Sequence, residues 1–162
     1  MPQHQMKGPR VAYMSQTEIE KKAALFSQML ELNKQTQGKK RKRQRFDQFF
    51  ERLLNYGIEI AVLEDEDWQK GTLNLVEGYC MPSQLTINIP NRVYEKACHG
   101  EPKSLEVMFH ELGHILLMHS PRLHFSEKAP TKEEDSEWQA DVFAEKMLIL
   151  SGIKSPQLSF AF

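Results

Sequence analysis

The sequence predicts an α+β domain. Four segments repeat apolar residues at i, i+3, i+4 and i+7, as helices do, and between the second and third lie short runs with the alternation or continuous apolarity of strands. At 162 residues the chain is long enough for one well-packed core and short for two. No apolar run could span a bilayer, the N-terminal residues lack the apolar stretch of a signal peptide, and Cys80 and Cys98 are the only cysteines. A reduced, cytoplasmic protein with no membrane contact is expected.

The net charge of −1 conceals an asymmetry. Residues 1–45 hold 11 Lys and Arg against 3 Glu, or +8, and residues 46–162 hold 10 against 19 acids, or −9. The two parts are expected to meet different partners, or each other.

Met1 to Ser15 shows no periodicity and receives no role. Thr17 and Glu20 predict a capping box for a first helix reaching about Gln35, with Leu25, Met29 and Leu32 as a narrow, weakly packed stripe. After Gln37-Gly38 come six cations in seven residues: Lys39, Lys40, Arg41, Lys42, Arg43 and Arg45. Such a run can contact nucleic-acid phosphates. A solvated linker is favoured, because no aromatic residue interleaves it and no helix-turn-helix pattern surrounds it.

Phe46, Phe49, Phe50, Leu53 and Leu54 predict a second, core helix closed by Gly57. Ile58 to Leu63 reads as a strand, Glu64 to Gly71 as an acidic loop, and Leu73 to Met81 as one strand or two broken at Gly78. Pro82-Ser83-Gln84 is a turn, and Leu85 to Ile89 alternates up to Pro90 as a half-buried strand in a hairpin with the Tyr79 side. A short helix is expected over Arg92 to Ala97. Cys98 and His99 read as ordinary loop residues, with no second cysteine near enough for a metal site.

Pro102 opens the third long helix and Pro121 is expected to stop it. Its apolar stripe is Leu105, Met108, Phe109, Leu112, Ile115 and Leu116. His110-Glu111-Leu112-Gly113-His114 lies within it. Histidines four residues apart share one helix face, so both rings can turn a nitrogen to one zinc ion, with Glu111 beside the open position as a general base. With 6 His and 17 Glu in the chain, chance alone yields roughly 0.02 such patterns per sequence, so context has to decide. Gly113 adds context: a mid-helix glycine costs about 1 kcal/mol against alanine, which implies a close neighbour.

A catalytic zinc takes three protein ligands and keeps one position open. A third histidine six residues after His114 is excluded, since that residue is Ser120. His119 and His124 are off that spacing and read as surface or substrate-side residues. The other source is a glutamate from a second helix. Thr131 and Glu134 predict a capping box for a helix with stripe Ala140, Phe143, Ala144, Met147 and Leu148, ending at Ser151-Gly152. On one edge of it, the i, i+4 spacing lets Glu137 ligate while Asp141 accepts the other ring N–H of a zinc histidine. An acidic first turn favoured by the helix dipole explains Glu133, Glu134 and Asp135 well, and Asp141, two turns in, less well.

The runs Phe109-His110-Glu111-Leu112-Gly113-His114-Ile115-Leu116-Leu117 and Glu137-Trp138-Gln139-Ala140-Asp141-Val142-Phe143-Ala144 resemble the ImmA/IrrE family of compact, gluzincin-like zinc metallopeptidases of phage, mobile elements and bacterial stress systems. The resemblance covers roughly Phe46 to Leu150. It implies a minimal zincin-like domain over 46–150, with a small, mostly antiparallel sheet packed on the His-Glu-x-x-His helix and the Glu137 helix. Residues 1–45 then form a basic extension with one extra helix, and 151–162 a tail. It implies one zinc per chain held by His110, His114 and Glu137, with Glu111 as base. The chain departs from the family's usual Leu-Met-Pro after the Glu helix and carries no fused helix-turn-helix.

The function implied is a regulatory endopeptidase acting on one protein partner, a repressor-like transcription regulator encoded nearby. The hairpin edge from Tyr79 to Ile89 is expected to hold substrate as an added strand, and Tyr79, His119, Arg122 and His124 are candidates for steadying the oxyanion. Two rivals stand beside it: a zinc-stabilised module that binds its partner without cutting, and a nucleic-acid-binding regulator using the basic run.

Overall fold

The computed structural model describes residues 4–32, 45–120 and 128–155. Among these residues the architecture is α+β, with six helices and one mixed three-stranded sheet.

The first helix, α1, spans Gln16–Met29 and is capped by Ser15, whose hydroxyl accepts from the Glu18 N–H at 3.2 Å. The expected Thr17 box is not its cap. Its buried row is Ile19, Ala23 and Ser27; of the expected stripe, Leu25 and Met29 are 55% and 48% exposed, while Leu32, past the helix end, is buried in the core. Behind the Ile19 anchor the row continues with the small residues Ala23 and Ser27, to which hydropathy gives little weight. The Arg52 guanidinium donates to the Leu30 and Glu31 carbonyls at 3.1 and 2.9 Å, satisfying acceptors at the helix end.

Helix α2, Asp47–Leu53, buries Phe49, Phe50 and Leu53 with Phe46 just before it, and ends through a 3-10 turn at Gly57, φ 80°. Leu54, expected in that stripe, faces out. Strands β1 (Glu59–Leu63), β2 (Tyr79–Met81) and β3 (Thr86–Pro90) lie in the order β1-β3-β2. The hairpin of β2 with β3, Cys80 opposite Ile87, is antiparallel as expected. The longer pairing, β1 with β3, is parallel, which corrects the mostly antiparallel expectation.

The reason lies between the strands. The supposed acidic loop is helix α3, Asp65–Thr72, which lengthens the connection so that β3 can enter in the same direction as β1. Asp65, Glu66 and Asp67 fill its first turn, where the helix dipole favours acids. Its single buried anchor is Trp68, whose Nε1–H donates to the Val76 carbonyl at 3.0 Å, and one anchor leaves no period to read. Leu73 and Leu75 are exposed, so the second strand is only three residues long. Strand β3 is central and buried on both faces, Asn88 included, rather than half-buried.

Helix α4, Asn91–Cys98, leads into α5, Pro102–Leu116. The latter ends as Met118 turns to φ 56°, ahead of Pro121, so the proline is not what stops it. Helix α6, Ser136–Leu150, is capped by Asp135; the Thr131–Glu134 capping box is present but closes a separate 3-10 turn, Lys132–Glu134.

Leu105, Met108, Phe109 and Leu112 of α5 share one buried cluster with Phe143, Ala144 and Met147 of α6 and with Ile19 and Ala23 of α1. Residues before α1, given no role above, dock on the 3-10 turn ahead of α6: the Val11 and Met14 N–H groups donate to the Glu134 and Glu133 carbonyls at 2.8 and 3.1 Å. Among the described residues, no helix is long and apolar enough to cross a membrane.

Candidate metal centre

Helices α5 and α6 meet at Gly113. A Cβ there would lie 3.0 Å from the Phe143 ring, so glycine is what permits this approach. The contact brings His110 and His114 against Glu137. His110 Nε2 lies 2.7 Å from Glu137 Oε2, and His114 Nε2 lies 3.2 Å from that oxygen and 3.2 Å from His110 Nε2.

A tetrahedral ion with bonds of about 2.0–2.1 Å holds its ligand atoms about 3.3 Å apart. The triangle therefore fits three donors around one ion, with one edge drawn in by a hydrogen bond. Among the described residues it is the one group of three His, Cys, Asp or Glu ligand atoms this close together. Two imidazoles and one carboxylate form a donor set that zinc accepts readily.

Asp141, one turn after Glu137, accepts from His110 Nδ1–H at 2.9 Å. Burial disfavours charge on His110, but the hydrogen bonds to Asp141 and Glu137 outweigh it and hold the ring's pKa up at about 10. The same bonds from His110 and His114 hold Glu137 well below the usual carboxylate range. In the metal-free protein a proton thus occupies His110 Nε2, the atom a metal would take.

Behind His114 the structure places His119. The two Nδ1 atoms are 2.8 Å apart, His119 Nε2 lies 2.7 Å from Gln139 Oε1, and Gln139 Nε2 donates to the Ala12 and Glu133 carbonyls at 2.8 and 2.6 Å. Burial pushes the His119 pKa down to about 4. Sequence reasoning missed Gln139. Its signal was an amide beside Ala140 at the start of the apolar stripe of α6.

Glu111 borders two hollows. One is lined by Val11, Tyr79, Cys80, His114 and Glu137, the other by Val76, Glu77, Lys103, Glu106 and His110. The Cys80 thiol is pushed up by burial and then by Glu111, to which it hydrogen-bonds, so it stays protonated and donates to that carboxylate. Tyr79 stacks on Trp68 with ring centroids 5.6 Å apart and remains partly exposed at the hollow. Arg122 and His124 lie outside the described residues, as do Lys39, Lys40, Arg41, Lys42 and Arg43. Arg45 donates to Asp47 Oδ1 at 3.3 Å. His99 Nδ1 bonds the Glu95 carbonyl within its own helix, away from the ligand group.

Asp135, fully buried, ties the leading segment to the site. Its carboxylate accepts from the N–H groups of Lys7, Gly8 and Glu137 at 2.8, 3.1 and 3.0 Å and from His4 Nε2–H at 2.8 Å. A Cβ on Gly8 would fall 2.6 Å from Glu137 Cγ, so this segment presses on the stem of the ligand itself. Only Gly8-Pro9 hinted at that in sequence.

Compared with protein-family models, curated proteins and solved structures, the chain matches none. The reading of the site rests on its residues and their geometry.

Proposed function

We propose that the protein is a zinc-dependent endopeptidase acting on a specific regulatory protein, a repressor-like partner in a phage, mobile-element or stress-response switch. The observation that carries the reading is the convergence of His110, His114 and Glu137 beside a non-ligating Glu111. Three protein donors leave a tetrahedral ion one position for reaction, and a purely structural site usually fills all four.

Zinc bound there would supply Lewis acidity toward a peptide carbonyl and toward water. Everything else falls to the chain. Glu111 takes the proton of the attacking water and delivers it to the leaving amine, with Cys80 holding its carboxylate in place. Asp141 keeps His110 oriented. Strand β2 lies at the sheet edge and its Tyr79 and Cys80 line the hollow, which supports a substrate laid along it as an added strand. Tyr79 stands at that hollow as a candidate to steady the oxyanion. The partner's identity as a repressor, the zincin-like assignment and the cytoplasmic setting come from the resemblance to ImmA/IrrE and from composition.

The test compares Glu111→Gln with Glu137→Gln, measuring zinc content and cleavage of the neighbouring gene's product. Glu111→Gln should retain zinc and partner binding while turnover falls about 10²–10⁴-fold. Glu137→Gln should lose metal and activity together. Full biological activity in zinc-loaded Glu111→Gln would replace the enzyme with a non-cutting binding module.

A further inference from the structure

The hollow floored by Glu111, His114 and Glu137 has two walls of different origin. One is the edge strand β2 with Tyr79 and Cys80, continued by Pro82. The other is Pro9 and Val11, from the segment ahead of α1, which lies outside residues 46–150 and so outside the part expected to form the peptidase domain. Between them the hollow measures about 390 Å³, the size of a pocket that takes a small ligand or a short stretch of extended chain.

The second wall is held by its backbone. Val11 is 3% exposed, and its N–H donates to the Glu134 carbonyl at 2.8 Å. On one side of it Arg10 forms an antiparallel bridge with Asp135, and its guanidinium donates to Glu134 Oε2 at 2.7 Å. On the other side the Ala12 carbonyl accepts from the buried Gln139 amide at 2.8 Å. Pro9 and Val11, two residues apart, line the hollow while Arg10 between them turns to Glu134, which is the alternation of an extended strand. Neither wall brings a cation to the hollow, and the Cys80 thiol is turned to Glu111. An apolar side chain seated there loses water without leaving a polar group unpaired, whereas a carboxylate would stand beside Glu111 and Glu137.

We propose that Val11 is a specificity-determining residue. With Pro9 it closes the substrate hollow opposite β2, so that an extended peptide lies between strand and segment with an apolar side chain seated against Val11, beside the reacting carbonyl. This deepens the peptidase reading and rests on it. The leading segment then has two duties at one site, because Gly8, three residues before Val11, also presses on the Glu137 stem.

The experiment uses the full, zinc-loaded chain and a series of peptide hydroxamates, which bind a metal without being cut and here differ only in the side chain next to the metal-binding group. Titration calorimetry should rank leucine and phenylalanine about 10–100-fold above glycine, with aspartate below glycine. Methyl NMR of the leucine complex should show contacts from the ligand side chain to the Val11 methyl groups. Val11→Ala should move the preference toward phenylalanine and Val11→Phe toward glycine, with zinc content reporting that each variant has assembled its site. A leucine complex without contact to Val11 overturns the proposal even if neither variant folds. Equal affinity across the series, lysine or aspartate ranked first, or a zinc-loaded wild type that binds none of the compounds overturns it too. Failure of the peptidase reading looks different: leucine seated on Val11 with the expected ranking, but no peptide cut by the wild type, keeps the wall and removes the enzyme.

Discussion

Replacing Gly113 by alanine sets two effects against each other. In a helix interior alanine is favoured over glycine by about 1 kcal/mol. The added Cβ, however, would stand 3.0 Å from Phe143 Cδ1 and 3.2 Å from its Cβ and Cγ. Carbon atoms settle at about 3.5–4.0 Å, so Phe143 must retreat by about 0.5 Å. Its ring is fully buried with Phe26 packed against it at 6.5 Å, and its Cβ moves only with the α6 backbone. Overpacking of this kind costs about 1–3 kcal/mol, which leaves a net loss of about 0–2 kcal/mol. The consequence for the site is larger, because α6 also carries Glu137 and Asp141, and Glu137 lies only 2.7 Å from His110. Chemical denaturation of the metal-free protein should show the small loss, and chelator competition should show zinc affinity down at least about tenfold, or 1.4 kcal/mol. A variant stabilised by about 1 kcal/mol with unchanged zinc affinity would refute the argument that this glycine sets the spacing of the site.

Two further outcomes follow from protonation. His110, held up at about 10, is charged at pH 8, so zinc must displace a proton from it. Calorimetry in buffers of different ionisation enthalpy should find about one proton released per zinc at that pH, with affinity falling as pH falls. Asp141→Asn should lower both the proton count and, by about 10–100-fold, the affinity; zinc uptake without proton release would contradict the assignment. Asp135 behaves in the opposite sense. Burial pushes its carboxyl up, but the Lys7 N–H, His4 and the Glu137 and Gly8 N–H groups more than reverse that and leave it below 3.8. Its folded value lies under its unfolded one, so its contribution is fully present above about pH 4 and disappears as pH falls through the folded value. Asp135→Ala should cost at least the about 0.5–2 kcal/mol of an N-cap, remove that acid-dependent part of stability, and free the Lys7 and Gly8 amides to exchange. Unchanged protection of those amides would show that Asp135 does not hold the segment.

The ligand spacing was legible because helix geometry is local: His110 and His114, or Glu137 and Asp141, meet through a period the chain cannot alter. Gly113 was legible for the same reason, as a known helix cost that needed a neighbour, and Phe143 is that neighbour. What escaped was carried by groups with little hydropathic signal. Ala23 and Ser27, not Leu25 and Met29, form the inner face of α1 behind Ile19. Strand order depended on α3, whose single anchor Trp68 has no period. The leading segment docks largely through backbone N–H groups that every residue shares, so nothing in the identities of Lys7, Val11 or Met14 announced it. Gln139 looked like an interruption of a stripe, when its amide was the connection between that segment and His119.

That docked segment bears on the order in which the chain can assemble. The bond from Gly8 to Asp135 spans 127 residues, and the one from Ala12 to Gln139 spans as many. Closing so long a loop takes conformational entropy away before any contact compensates for it, whereas hairpins and helix pairs close early. During refolding, α5 and α6 should therefore pair first and bring the three donors near one another before the segment carrying Gly8 is pressed against the Glu137 stem. A site able to grip zinc fully would then mature only in the final, slow closure, making metal capture a clock for the last folding step rather than its trigger.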